Sequence, residues 1–411
     1  MFTPFSIILS VLFLVVALVA PLLNPFFRKR AILRSLADRD AASPDSLPPL
    51  TVIITAHDDA EALSRNLPAF LEQDYPAPYR VIVVADKADA PTVSVLKRFS
   101  DSAQQATVAE TAIDADADQG DEEVRLSRVS RRLYSILLPA SSRYLSRKKL
   151  AVTLGVKAAR TEWILLSDPF CRPASRQWLR TMAARAAEDR SLVIGLTLFD
   201  DSVPSLLCFD RLFTAFYLMR EDLLGVAFRA EGSNLMFRKS VFMGGEGYRG
   251  NLDLVRGEYD LLVNKYARPS QTALVLDPAG WTLEDRPSRK AWRDKRLYLL
   301  ASLPKMERRG RHRLWPVVDA LALHGSALLF LAAAVYGICL GSWLIAAAAV
   351  VSLLLSVLAF DLTGAKALHH FTDRVPLLAV YPYQWSRLPA RLLLRLRFWR
   401  ADPRDFTTHK Q

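Results

Sequence analysis

The chain has 411 residues, 51% of them hydrophobic and 23% charged, with a net charge of +12 and a mean hydropathy of +0.13. That is too apolar for a purely soluble protein and too charged for a wholly embedded one, so a soluble domain with a few membrane spans is expected. The basic excess reads as cytoplasmic-side Lys and Arg; no zinc spacing or basic–aromatic module points to nucleic acid, and Cys171, Cys208 and Cys339 are too scattered for a disulfide framework or a CxxC metal motif.

Phe5 to Leu23 is an apolar run of span length, about 20 residues. Arg28, Lys29, Arg30 and Arg34 follow it, and no basic residues precede it. That order favours an anchor over residues 1–27 with its C-terminal side in the cytoplasm, rather than a signal peptide. Residues 38–50 read as a polar linker. Leu50 to Thr55 is β-branched and predicts the first strand, Ala60 to Glu72 a helix, and Tyr79 to Ala85 a second strand ending at Asp86. Strand, helix and strand at this spacing make a βαβ unit and hence a parallel sheet. Ala103 to Arg125 is acidic and reads as a surface loop. Its Asp114, Asp116 and Asp118 follow no strand, so no metal is placed there.

The stretch from Leu145 to Leu179 organises the rest. It reads as a basic loop, a helix with Ala151, Leu154, Val156 and Ala159 on its small apolar face, and a buried strand from Trp163 to Leu166. Asp168 stands where that strand ends, with Pro169 blocking its continuation. Ligands of open α/β sheets bind beyond the carboxyl ends of strands, so Asp168 is a site candidate. LVIGLTLF from residue 192 is strand-like, and a helix with Phe209, Leu212, Phe213, Phe216 and Tyr217 follows it. That stripe suits a core, a membrane surface or an acceptor groove.

After Arg308, Arg309, Arg311 and Arg313 the chain turns apolar again. Ala320 to Leu340 and Ser342 to Phe360 are separated by Gly341 with no Lys or Arg between them, and Lys366 and Arg374 follow. This predicts a transmembrane hairpin over residues 315–362 whose tip faces away from the cytoplasm. Within 375–411, Arg387 to Arg400 alternates Arg with Leu and suits an interfacial helix on the cytoplasmic leaflet, the alternative being a basic solvated tail.

Several motifs carry a resemblance. KKLAVTLGVKAA, then WILLSD, then Cys171-x-Pro173-x-Ser175-x-x-Trp178-Leu179 resembles a family 2 glycosyltransferase of the GT-A fold. So do IITAHDD, LPAFLEQDYP and VIVVAD earlier in the chain, EGSNLMFRK at residues 231–239, and RPSRKAWRDKRLY at 286–298. The likeness spans roughly residues 48–300. It implies an α/β GT-A domain, nucleotide-diphospho-sugar transferase-like, with a mixed sheet plus transmembrane helices. The implied donor is a nucleotide sugar, UDP-linked, and the acceptor a lipid or glycan. Where the family has D-x-D, this chain reads Asp168, Pro169, Phe170. Where it has consecutive acids, Glu258 and Asp260 are separated by Tyr259, and the closing segment retains Lys295 and Arg296 without the family's Gln and final Arg.

The resemblance assigns Thr55 and Asp86 to the base and ribose, with Lys148 nearby. Asp168 is assigned to the ribose or to Mg2+ or Mn2+, Lys295 and Arg296 to the diphosphate, and Asp260 to general base with Glu258 second. Each also has a plain reading: Thr55 as a strand end, Asp86 and Asp168 as helix caps, Glu258 and Asp260 as acids enriched at a helix N-terminus. Phe170 cannot coordinate a hard cation. Any metal is therefore held by fewer protein oxygens, or dispensable, or activity is lost. An active inverting transferase at the cytoplasmic face is the first expectation and a catalytically inactive membrane scaffold the alternative. The single terminal hairpin argues against a translocating polysaccharide synthase. His57 reads as a turn residue, and His312, His324, His369 and His370 are given no role.

Overall fold

A computed structural model describes residues 3–28, 47–110, 132–139, 146–223 and 225–407. The linker up to residue 46, the basic residues Lys29, Arg30 and Arg34, and Asp114, Asp116 and Asp118 lie outside the described residues. The chain divides into two compact units, one of Leu36–Ser202, Gly225–Glu307 and Ala401–Gln411, the other of Met1–Ser35, Val203–Leu224 and Arg308–Arg400.

The first unit is built on ten strands among the described residues: β1 Leu50–Ala56, β2 Tyr79–Asp86, β3 Leu133–Leu138, β4 Trp163–Ser167, β5 Cys171–Pro173, β6 Leu192–Gly195, β7 Thr197–Phe199, β8 Leu235–Arg238, β9 Thr272–Val275 and β10 Thr282–Glu284. Seven form a mixed sheet in the order β3-β2-β1-β4-β8-β6-β9, and three a small sheet in the order β5-β10-β7. β1 pairs in parallel with β2 and β4, while β8 runs antiparallel to β4 and β6. Every residue of β1 and β4 is buried, as continuous apolar runs covered on both faces require. Leu63, Leu67, Phe70 and Leu71, one face of the helix Ala60–Leu71, join Val52, Ile54 and Trp178 in the main core.

Three expectations differ from the structure. The helix Ala90–Glu110 takes in the first part of the segment read as an acidic loop. Its Ala, Gln and Glu are good helix formers, so propensity carries the helix on where the apolar pattern fades. LVIGLTLF is two strands in two sheets. The chain changes partner at Leu196, whose carbonyl accepts from Thr282 N–H, while Gly195 N–H donates to Asn234. In the helix Arg147–Ala158 the buried positions are Lys149, Ala151, Val152, Gly155 and Val156, and Leu154 lies at the margin.

The second unit holds three helices long and apolar enough to cross a membrane, over Pro4–Leu23, His312–Cys339 and Trp343–Leu368. Leu328, Val335, Leu354 and Leu358 project outward from them. The aromatic stripe of the helix Ser205–Leu223 belongs to this unit. Phe209, Phe213 and Phe216 meet Phe26 edge-on, with centroids 6.1, 5.1 and 5.1 Å away. Asn24 donates to Asp319 (3.2 Å) and Gln384 (2.6 Å), so a polar knot ties the first span to the second and to the helix Val380–Arg400.

Candidate functional site

Three segments of the first unit meet at the site: the end of β4, the first turn of the helix Arg147–Ala158, and the first turn of the helix Glu258–Tyr266. Asp168 is the residue after β4. Its turn is pinned from two sides. Asn66 donates to the Pro169 carbonyl at 2.9 Å, and Asp285 N–H to the Phe170 carbonyl at 2.9 Å. Gly257 caps the second helix at φ +98°, a left-handed conformation that favours glycine, which makes Glu258 its first residue. Acids in a first turn also meet the positive end of the helix dipole.

The three consecutive cations after Ser146 take three different partners. Arg147 pairs with Asp86. Lys148 stands between two buried carboxylates, 2.7 Å from Asp168 Oδ1 and 2.8 Å from Glu258 Oε1. Lys149 is buried and donates to the carbonyls of Asn251 (2.7 Å) and Leu254 (2.6 Å). Burial pulls the Lys149 ammonium down to about 8. Burial also works against the Lys148 charge, yet Asp168 and Glu258 hold it above its ordinary range. For Glu258 burial raises the pKa, but Lys148 outweighs it and carries the carboxyl down to about 2. Removing one partner of such a buried pair costs about 3–5 kcal/mol.

Asp260 sits differently. It lies on the same helical turn, but its cationic neighbours are Arg229 at 3.5 Å and, less directly, Lys295, with Glu231 and Glu258 acting against them. Arg229 is shared with Glu231 at 2.8 Å. Burial dominates and lifts the Asp260 carboxyl to about 6. Tyr259 is buried between the two acids, its ring 5.3 Å from Lys148 Nζ.

The remaining expected residues are placed as follows. Thr55 is buried at the end of β1, and its hydroxyl has no hydrogen-bond partner among the described residues. Asp86 caps no helix: its Oδ1 accepts from Ala88 N–H at 3.1 Å, and His57 Nδ1 lies 3.6 Å from Oδ2. Asp168 likewise caps no helix; Oδ2 accepts from the Ser233 hydroxyl. Lys295 reaches Glu284 at 3.5 Å. Arg296 stacks on Trp292 at 4.1 Å. Arg147, Ser233 and Arg229 were not singled out by the sequence reading. Ser233 lies inside the quoted EGSN stretch, and Arg229 interrupts the apolar run at 223–230, which is a signal that a buried charge has a partner.

The fit of a divalent cation follows from the donors present. Both Asp168 oxygens are engaged, one by Lys148 and one by Ser233. Phe170 offers none. Glu258 Oε2 is a buried carboxylate oxygen without a hydrogen-bond partner, and Asp168 Oδ1 is met only by the Lys148 ammonium. Among the described residues no group of three or more His, Cys, Asp or Glu is placed to hold a metal. Few protein oxygens are therefore at hand for Mg2+ or Mn2+: those of Asp168 and Glu258, both paired with Lys148, to which a substrate's phosphates would have to add the rest.

No family model matches the sequence, and no curated protein does. Among solved structures the chain is similar to a mannosyltransferase, PcManGT from Pyrobaculum calidifontis in complex with GDP-Man and Mn2+, at 15% identity and a TM-score of 0.50, covering 93% of this chain and 98% of that one. It also matches S. aureus TarS residues 1–349 (11% identity, TM-score 0.40, 83% and 92% covered) and GalNAc-T7 with UDP, GalNAc and Mn2+ (12%, 0.38, 64% and 51%). The last two are too distant in shape to carry an argument. The first shows the fold, a GT-A-like mixed α/β sheet, accompanied here by three helices of membrane-spanning length.

Proposed function

We propose that this chain is a membrane-anchored family 2 glycosyltransferase. It transfers a sugar from a nucleotide sugar, UDP-linked, to a lipid or glycan acceptor at the cytoplasmic face, with inversion. Residues 48–300 are its transferase domain, residues 1–27 the anchor, 315–362 a hairpin, and the basic helix within 375–411 a contact with the cytoplasmic leaflet. The observation that carries this reading is the convergence at one strand end of Asp168, Lys148 and Glu258, with Asp260 on the same helical turn as Glu258, in a fold shared with a mannosyltransferase.

Thr55 and Asp86 hold the nucleoside, the first through its unpartnered hydroxyl and the second through a carboxylate oriented by Arg147. The acceptor hydroxyl attacks the anomeric carbon from the side opposite the diphosphate. The bond from that carbon to the diphosphate oxygen breaks, and its electron pair leaves with the diphosphate. The hydroxyl proton passes to Asp260. Glu258 is the poorer base, because Lys148 holds it ionised and engaged, whereas a carboxylate near 6 is matched to proton abstraction at neutral pH. Lys148 and Lys295 offset the charge that develops on the diphosphate, and no step is routed through a divalent cation. A second reading, an inactive scaffold, rests on Phe170 and Tyr259 standing where the family carries acids.

Transfer of label from radioactive nucleotide sugars into membrane lipid or glycan separates the two. The transferase reading predicts incorporation from one donor and a fall of about 10²–10⁴-fold in Asp260→Asn, the usual worth of a general base. Incorporation that Asp260→Asn leaves intact would overturn the assignment of the base. No incorporation from any donor favours the scaffold.

A further inference from the structure

The two helices that bear the charged groups are tied together through one short loop. Lys149 Nζ donates to the carbonyls of Asn251 and Leu254 in that loop, at 2.7 and 2.6 Å. Ser146, the residue capping the Arg147–Ala158 helix, donates its hydroxyl to the Val255 carbonyl at 2.6 Å. On the other side, Val255 N–H donates to the Phe406 carbonyl at 2.9 Å. Val255 is three residues ahead of Glu258, so both of its backbone groups are engaged just before the acid helix begins. The side chain of Phe406 is buried and packs edge-on to Tyr298 at 5.4 Å. Arg256, next to Val255, lies over the same Tyr298 ring at 5.1 Å. The short helix Arg404–Thr407 therefore belongs to the sheet unit, although the basic helix Val380–Arg400 that precedes it belongs to the other.

We propose that Phe406 is a positioning residue for the transfer site, acting through Val255. By fixing the loop from behind, it sets the spacing between Lys148 on one helix and Glu258 and Asp260 on the other. The C-terminal tail is thus a strap across the back of the site. A buried aromatic is suited to this role, because it fixes a backbone carbonyl at one place with few rotatable bonds. This rests on the transferase reading for its consequence in catalysis, but the mechanical claim stands on contacts that exist whatever the substrate.

The test is hydrogen exchange of the full chain in detergent, comparing wild type with Phe406→Ala, Phe406→Leu and Ser146→Ala, alongside the transfer assay. The strap predicts that Phe406→Ala raises exchange of amides in 253–262 by roughly tenfold, a local opening, while β1, β2 and β4 keep their protection. Ser146→Ala, which cuts the Val255 tie from the other side, loosens the same amides, and Phe406→Leu restores most of the protection. Turnover in Phe406→Ala falls while donor KM changes less. Unchanged exchange at 253–262 overturns the proposal, and so does faster exchange spread evenly over the sheet, which marks a stability role alone. Should Phe406→Ala fail to fold, Ser146→Ala and Phe406→Leu decide by the same segments. A wild type that turns over no donor refutes the transferase reading and leaves the exchange result to judge the strap.

Discussion

Glu258 and Asp260 are separated by one residue, and their environments push them in opposite directions. Lys148 holds Glu258 down at about 2, and burial lifts Asp260 to about 6. Two carboxyls driven apart in this way are how sites divide acid and base duties. The base must be ionised, so kcat/KM is expected to fall as pH drops through about 6, roughly tenfold per unit below it. The same shift bears on stability with the opposite sense: a carboxyl raised from 3.8 to about 6 binds more protons folded than unfolded, so its contribution falls as pH rises through that window. A pH–rate profile flat from 5 to 8 would remove Asp260 from the base role. Asp168 was singled out because a strand end is a local pattern, whereas Lys148, Glu258 and Asp260 entered only through the resemblance. The sequence did not expose Ser233, Arg229 or Arg147, whose parts depend on which distant residue the fold brings opposite them. The contact of Arg296 with the Trp292 ring was likewise not announced by the sequence.

At the scale of elements, β-branched runs announced β1 and β2, and a short apolar run announced β4. Short strands were harder, because LVIGLTLF carries no local mark of the point at which it leaves one sheet for another. The helices long and apolar enough to cross a membrane were legible from hydropathy, but their closeness was not. A Cβ on Gly337 would lie 2.6 Å from the backbone nitrogen of Ala346, so the helices Ser326–Cys339 and Trp343–Leu368 touch there backbone to backbone. Small residues permit such approach in apolar surroundings. Gly337→Ile should force the pair apart and destabilise by about 1–3 kcal/mol, read as a lower Tm in detergent, with Gly337→Ala between it and wild type. An unchanged Tm for Gly337→Ile would mean that the two helices are not packed this closely.

At the scale of the molecule, composition alone foretold a charged α/β body together with apolar spans, and the structure holds both as separate compact units. It did not foretell that the stripe of Phe209, Phe213 and Phe216 belongs with the spans, nor that the last described turn of the chain returns to the sheet unit. Both follow from long-range packing that no local period encodes. The central proposal is that the groups beyond the ends of β1, β2 and β4 hold a nucleoside diphosphate. Calorimetric titration of the purified full chain with UDP and with GDP tests it directly. The account predicts saturable binding of one of them, present in EDTA and weakened at least about tenfold by Asp168→Asn; absence of binding for both nucleotides, or binding that Asp168→Asn leaves untouched, would contradict it.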